Sequence, residues 1–219
     1  MAPLLYCSFA ARVALSLKEA PSQPSRRELP ADPSRRELTP EDLANTIIAN
    51  VFKGEFGKRG EAWLGGQAVL IGSVIAGPDI PGVGPLSRLL GLCTLAVGFL
   101  LAFAGALELG SSLSPWPTPV EKNELKTDGI FKYCRHPIYA GFLFDAIGLG
   151  LLTASTERLL LTTALYLFFS AKARQEEQQL EELHGIAYVE WSENVPCFFP
   201  TAAGLLELPQ VVSTALDEI

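Results

Sequence analysis

Residues 89–107 read LLGLCTLAVGFLLAFAGAL and contain no charged side chain over 19 positions. A helix needs roughly 20 mostly apolar residues to cross the hydrocarbon core of a bilayer, so this segment is close to the required length. Charged residues make up 19% of the 219-residue chain, which is below the roughly 25% usual for soluble domains. The sequence therefore predicts a membrane helix here, with a buried helix of a soluble bundle as the alternative.

Three further apolar segments surround this one, at residues 62–77, 137–156 and 159–171. Lys172 and Arg174 follow the last segment, where long basic side chains can reach back to the membrane surface, and we predict that its helix continues to about His184. Glycines in these segments would let helices pack closely. The expected fold is all-α, an integral-membrane bundle of about four transmembrane helices with a C-terminal helix at one membrane face.

The basic residues test this topology. With four spans, the segments before the first, between the second and third, and after the fourth lie on one side. That side holds nine basic residues and the other side two, a strong bias toward the cytoplasm or its organellar equivalent. The nine are Lys53, Lys58, Arg59, Lys122, Lys126, Lys132, Arg135, Lys172 and Arg174, and the two are Arg88 and Arg158.

Charge and cysteine content exclude several classes of protein. The net charge of -7 leaves no basic face to neutralise phosphates, which argues against a nucleic-acid partner. Four widely separated cysteines and two histidines form no CxxC pair, so their spacing predicts neither a disulfide framework nor a metal site.

The chain is predicted to consist of four regions. Residues 1–38 are predicted to be a targeting and disordered leader, because the first 18 residues hold Arg12 and Lys18 but no acid. Residues 39–61 are predicted to form an amphipathic surface helix and linker, with Thr39-Pro40-Glu41 as its start. Residues 62–200 are the predicted membrane domain and residues 201–219 a tail. The leader favours a plastid membrane, with a mitochondrial or endoplasmic reticulum membrane as alternatives.

Two polar motifs fall on the same predicted membrane face. The first, Arg135-His136-Pro137-Ile138-Tyr139, opens the third apolar segment, and its proline biases His136 toward a turn. The second follows the fourth segment as KARQEE at 172–177, with Lys172 and Glu176 spaced to share a helix face. Taken singly, each motif also suits an aromatic and basic interface belt or a solvated helix end.

In combination these motifs resemble the membrane methyltransferase family that includes isoprenylcysteine carboxyl methyltransferases and phospholipid methyltransferases. The elements that carry the resemblance are Arg-His-Pro-x-Tyr, a hydrophobic hairpin, Glu-Glu-x-x-Leu, Gly-x-x-Tyr and a late Val-Pro, over about residues 110–200. The resemblance implies an S-adenosylmethionine site that the C-terminal helix closes. It implies cofactor contacts from Asn123, Glu124, Leu125, Lys126, Phe131, His136, Pro137, Ile138, Tyr139, Glu176 and Glu177.

The resemblance also implies catalytic roles for Lys172 and Arg174. Lys172 stands where the prenylcysteine enzymes carry a substrate-directed arginine, and lysine lacks the bidentate fork that holds a carboxylate. The expected acceptor is therefore a membrane lipid or a lipophilic metabolite that enters from the bilayer. Asp145, inside the third segment, either lines that entry or is paired structurally.

Three functions remain in competition at this point. The first is an S-adenosylmethionine-dependent methyltransferase that acts on a membrane-embedded lipid or prenyl-type acceptor. The second is a catalytically silent membrane scaffold or assembly protein with the same fold. The third is a nicotinamide-dependent membrane reductase, because sterol reductases resemble the C-terminal half of this fold, although those chains are much larger.

Overall fold

The computed structural model of the chain describes residues 40–52, 60–79, 83–116, 125–200 and 202–217. All regular structure in these ranges is helical, which confirms the predicted all-α class. The helices are α1 (Pro40–Phe52), α2 (Glu61–Ala76), α3 (Pro85–Leu109), α4 (Pro137–Leu152), α5 (Thr156–His184), α6 (Ile186–Ser192) and α7 (Ala202–Asp217), with 3-10 turns at Gly110–Ser112 and Gly129–Lys132. The predicted leader lies outside the described residues.

Helix α3 contains the uncharged segment that opened the sequence analysis. Its first residue is Pro85, a position where the amide hydrogen that proline lacks has no partner within the helix. Its last residue, Leu109, is followed by Gly110, whose φ is +48°. Among the described residues, the 28-residue stretch Pro85–Ser112 is the one helix long and apolar enough to cross a membrane by length and composition. Helices α2 and α4 are apolar but shorter, so the count of four spans stays a prediction.

Helices α3 and α4 pack with almost no space between their backbones. Glycines recur every seven residues on each helix, at 91, 98 and 105 on α3 and at 141 and 148 on α4. A Cβ atom on Gly148 would lie 2.8 Å from the amide nitrogen of Leu95 and 2.9 Å from the carbonyl oxygen of Gly91. Two turns of helix separate successive glycines, so they form one smooth face on each partner.

Arg158, near the start of α5, caps the end of α2. Its guanidinium donates hydrogen bonds to the carbonyl oxygens of Val74, Ile75, Gly77 and Pro78, and it pairs with Asp79 at 2.5 Å. The last carbonyls of a helix have no partner within it, and burial makes an unpaired carbonyl costly. One side chain, 5% exposed, therefore satisfies the C-terminus of α2 and ties it to α5.

Helices α5 and α7 complete the fold. Helix α5 is continuous from Thr156 to His184, so the apolar segment and the polar KARQEE motif belong to one rigid element, as the sequence predicted. The region beyond residue 200, assigned to a tail, contains α7. Its Leu208, Val212 and Ala215 are buried, and the spacing of four and three residues places them on one face, which packs against α3.

The glycine contacts predict that Gly148→Ala destabilises the protein. The new methyl group would overlap backbone atoms that cannot rotate away, at a cost of about 1–3 kcal/mol. The matched control is Gly72→Ala, because a Cβ there meets nothing within 4 Å and alanine is the better helix former. Equilibrium unfolding of the detergent-solubilised variants, followed by circular dichroism, measures both. Equal stability of the two variants would contradict close α3–α4 packing.

The Arg158 contacts predict that Arg158→Met lowers the free energy of unfolding by about 1–3 kcal/mol, because buried carbonyl oxygens lose their donors. Arg88→Met is the control, since Arg88 is exposed on α3 and a surface change of this kind costs within about 0.5 kcal/mol. The same unfolding measurement applies, and a smaller loss at Arg158 than at Arg88 would refute the capping role.

Candidate functional site

The turn that carries His136 is held by backbone pairing to the segment after α6. The amide of Arg135 donates to the carbonyl of Pro196 at 2.9 Å, and the amide of His136 donates to the carbonyl of Cys197 at 3.0 Å. His136 then precedes Pro137, the first residue of α4, with φ -126° and ψ 67°, outside the helical region that a following proline disfavours. These contacts fix the imidazole at the junction of α4 and the C-terminal segment.

The two motifs meet, as their predicted placement on one face requires. The Tyr139 hydroxyl donates to Oε1 of Glu176 at 2.5 Å. Nδ1 of His136 lies 3.7 Å from Oε2 of Glu176, and its Nε2 lies 3.0 Å from Oε1 of Glu177. The rings of His136 and Tyr139 stack at 5.4 Å, and Tyr139 stacks on Phe169 of α5 at 4.7 Å. The first turn of α4 and the outer half of α5 thus form one polar and aromatic cluster.

The adjacent carboxylates sit in different environments. Burial raises the pKa of Glu176, although the charges of His136 and Lys172 and the Tyr139 hydrogen bond act against it. Burial alone would also raise the pKa of Glu177, but the hydrogen bond and charge of His136 and the charge of Arg135 outweigh it, so this pKa is lowered. Burial and the charge of Glu177 raise the pKa of Cys197 to about 12, so its thiol donates to Oε1 of Glu177, 3.7 Å away.

A cavity of about 430 Å³ opens beside this cluster. Its walls come from α1, α2, the end of α3 and the loop after it, α4 and α5. The apolar lining includes Ile47, Val51, Leu109, Leu113, Trp116, Phe131, Ile138 and Leu180, and the polar lining includes Gln67, Arg135, His136, Tyr139, Lys172 and Glu176. The volume lies within the roughly 300–1,000 Å³ of small-molecule sites, and a mostly apolar wall with a few converging polar groups is typical of them.

Helix α1 closes one side of the cavity through hydrogen bonds to the loop after α3. The buried Asn50 side chain donates to the carbonyls of Ser111 and Leu113 at 2.9 and 3.2 Å. In return, the Trp116 indole donates to the carbonyls of Asn50 and Val51, both at 3.1 Å. The amphipathic helix is therefore a wall of the cavity, a role that the sequence analysis did not assign to it.

Lys172 lies on the cavity wall, but its ammonium group already has partners. Nζ donates to Oε1 of Gln67 at 3.1 Å and to the carbonyl of Pro115 at 3.4 Å. It also lies 4.0 Å from Oε1 of Glu176 and 5.0 Å from the centre of the Tyr139 ring. The side chain is 3% exposed. Lys172 therefore links α2, the 115–116 loop and α5.

The predicted site residues separate into three groups. Phe131, His136, Pro137, Ile138, Tyr139, Glu176 and Lys172 line the cavity. Leu125, Lys126, Arg174 and Glu177 are described but do not line it, and Arg174 is exposed. Asn123 and Glu124 lie outside the described residues. Asp145 faces the α3–α4 contact beside Gly98 and does not line the cavity either.

Sequence reasoning missed several residues that the structure brings to the site, namely Asn50, Gln67, Arg135 and Cys197. The first two belong to helices assigned to membrane contact and carried no motif. Arg135 was part of the quoted motif, yet the motif gave no sign that its Nε would be buried without a hydrogen-bond partner in the described structure.

Known proteins resemble the part of the chain that contains these motifs. The family model described as phospholipid methyltransferase matches residues 86–186. The protein-S-isoprenylcysteine O-methyltransferase of Schizosaccharomyces pombe is 33% identical over 115 residues, 49% of this chain and 49% of that protein. The protein of the same name from Xenopus laevis is 30% identical over 135 residues, 58% of this chain and 45% of that protein. The chain thus spans about half the length of these curated relatives.

Among solved structures, a eukaryotic intramembrane Ras methyltransferase, an isoprenylcysteine carboxyl methyltransferase, matches with a TM-score of 0.48 and 21% identity, covering 68% of this chain and 55% of that one. The matched segment 86–186 includes the Arg-His-Pro-x-Tyr motif and both acidic residues of α5. Residues 86–186 are thus similar to the phospholipid methyltransferase family, and these two curated relatives are named protein-S-isoprenylcysteine O-methyltransferases.

Proposed function

We propose that this chain is an integral-membrane methyltransferase that binds S-adenosylmethionine in the cavity and methylates a membrane-embedded lipid or prenyl-type acceptor. The observation that carries the proposal is the convergence of His136, Tyr139 and Glu176 on one cavity wall. The family match of residues 86–186 and the names of the curated relatives support it.

The residues on the wall fit the chemical groups of this cofactor. A sulfonium and an ammonium group both carry positive charge, and the carboxylate of Glu176 offers the compensating negative charge. The amino-acid end also carries a carboxylate. Arg135 lines the cavity, and although its Nη1 pairs with Glu177 at 3.1 Å, its buried Nε has no hydrogen-bond partner in the described structure. Guanidinium groups are well suited to carboxylates. Trp116, Phe131 and Tyr139 add aromatic faces that can pack against a purine or a cation.

When bound, S-adenosylmethionine supplies an electrophilic methyl group on a sulfonium, which is already a good leaving group. The protein's task is then mainly to orient the acceptor and exclude water. His136 and Tyr139 are fixed by stacking and by Glu176, so they can position a ligand without reorganising. Helix α1 and Trp116 close the side wall and restrict access by water.

The contacts of Lys172 indicate which chemical class of methyl acceptor the cavity suits. Its ammonium is engaged by Gln67, Pro115 and Glu176, so it is not free to hold the carboxylate of a substrate. Among the described residues, the lysine and arginine side chains that line the cavity are Lys172 and Arg135. We assign Arg135 to the carboxylate of the cofactor. This supports an acceptor without a carboxylate, a membrane lipid or lipophilic metabolite, whereas the relatives' names support a prenylcysteine.

The leader supports a plastid membrane, with a mitochondrial or endoplasmic reticulum membrane as alternatives. A fluorescent fusion of the whole chain, compared with one lacking residues 1–38, separates these compartments. Loss of a plastid pattern in the truncated fusion would support the prediction, and an endoplasmic reticulum pattern in both would contradict it.

A catalytically silent scaffold is the alternative function, and cofactor binding separates the two. We predict that Glu176→Gln and His136→Ala each weaken S-adenosylmethionine binding at least tenfold, about 1.4 kcal/mol. Glu182→Gln is the control, because Glu182 is exposed on the same helix and should leave the affinity unchanged. Calorimetry on the purified, folded variants measures this. Wild-type affinity in both site variants would remove the site assignment, and absence of saturable binding by the unmodified chain would favour the scaffold.

The engaged state of Lys172 predicts that membrane lipids or lipophilic metabolites are methylated in preference to a farnesylcysteine analogue. Lys172→Arg should leave turnover of the true acceptor unchanged or lower it, and should not confer farnesylcysteine methylation. Transfer of a labelled methyl group to total membrane lipids and to the analogue measures both. Methylation of the analogue by the unmodified protein with kcat/KM above about 10⁴ M⁻¹s⁻¹, within the ordinary enzyme range, would contradict the lipid acceptor and support a prenylcysteine.

A further inference from the structure

Three groups that commonly bind metals meet on the side of His136 away from Glu176. They are Nε2 of His136, a carboxylate oxygen of Glu177 and Sγ of Cys197, and all lie within 4.8 Å of one another. The Nε2–Oε1 distance is 3.0 Å and the Oε1–Sγ distance is 3.7 Å. A tetrahedral zinc ion with bonds of roughly 2.0–2.3 Å separates its ligand atoms by about 3.5 Å, so small side-chain movements suffice to form a site.

The three groups are held in place by α5 and by a backbone hydrogen bond. Glu177 belongs to the long helix α5, and the backbone pairing of His136 with Cys197 at 3.0 Å keeps those two residues adjacent. Behind the imidazole, Nδ1 lies 3.7 Å from Oε2 of Glu176. A carboxylate in this position orients metal-binding histidines in many proteins. Neither Glu177 nor Cys197 lines the cavity, so the cluster shares only His136 with the proposed cofactor site.

We propose that His136, Glu177 and Cys197 bind one thiophilic divalent cation such as Zn²⁺, with water as the fourth ligand. Binding displaces the thiol proton of Cys197 to solvent, because the thiolate is the ligand. Arg135 lies 3.1 Å from the same carboxylate oxygen, and its charge opposes a cation. The site therefore exchanges its metal with solution, unlike a permanent structural zinc site.

A cation bound at this site would affect the cavity through His136. The imidazole belongs to both, because it lines the cavity and supplies Nε2 to the cluster. A cation on Nε2 fixes the ring orientation and requires the proton to lie on Nδ1, facing Glu176. The cation would thereby alter the wall on which the proposed function depends, yet its binding can be measured without any methylation assay.

The test is a titration of the purified full chain with Co²⁺, whose thiolate complexes absorb in the near ultraviolet. We expect one charge-transfer band that saturates at one Co²⁺ per chain and is reversed by Zn²⁺ or a chelator. Cys197→Ser should abolish the band, Glu177→Gln should weaken binding at least tenfold, and Arg135→Gln should strengthen it. Cys93→Ser is the matched control, because Cys93 is exposed on α3, and it should bind like the unmodified chain.

A second measurement requires no variant and so does not depend on how the variants fold. Zn²⁺ added to the unmodified protein should slow alkylation of Cys197, measured by mass spectrometry, while Cys93 reacts at an unchanged rate. The proposal is overturned if the cobalt band persists in Cys197→Ser, or if Zn²⁺ protects Cys197 no more than Cys93. A tenfold or greater slowing confined to Cys197 supports it.

Discussion

Glu176 is a carboxylate between α4 and α5 that is only 16% exposed, and its need for partners organises the site. A buried charge is costly unless it is paired and hydrogen-bonded. Tyr139 supplies a hydroxyl donor from α4, His136 supplies an imidazole, and Lys172 supplies an ammonium one turn away on α5. Lys172 in turn contacts Gln67 of α2 and the carbonyl of Pro115. Most elements that enclose the cavity therefore connect to this one carboxylate.

The surrounding fold explains how these partners stay in place. Close glycine packing of α3 on α4 positions the start of α4, and the Arg158 cap ties α2 to α5. Pairing between residues 135–136 and 196–197 brings the segment after α6 to the same point. The result is a preorganised polar cluster beside an apolar cavity, which suits a cofactor that carries both charges and an aromatic base. It also places Cys197 beside Glu177, which creates the second proposed site.

Much of this arrangement follows from local sequence pattern. The uncharged run of α3, the continuation of α5 to His184 and the meeting of Arg-His-Pro-x-Tyr with Glu176 were all predicted, because each depends on helix periodicity or on a motif. The contacts of Asn50, Gln67 and Cys197 were not predicted, because each joins residues far apart in the chain and has no local signature.

The contacts of Lys172 could be predicted only in part, for the same reason. Its position near Glu176 was predictable, but its engagement by Gln67 depends on where α2 packs. The spacing of cysteines likewise predicted no metal site, since spacing along the chain says nothing of Cys197 and His136 pairing through their backbones.

The proposed function requires that the cavity beside Glu176 holds a sulfonium cofactor. An experimental structure of the purified chain with S-adenosylhomocysteine, the product of methyl transfer, tests it most directly. We expect the product in this cavity, with its carboxylate at Arg135 and its remaining parts among Trp116, Phe131 and Tyr139. A product bound elsewhere on the chain, with the cavity unchanged from the ligand-free protein, would contradict it.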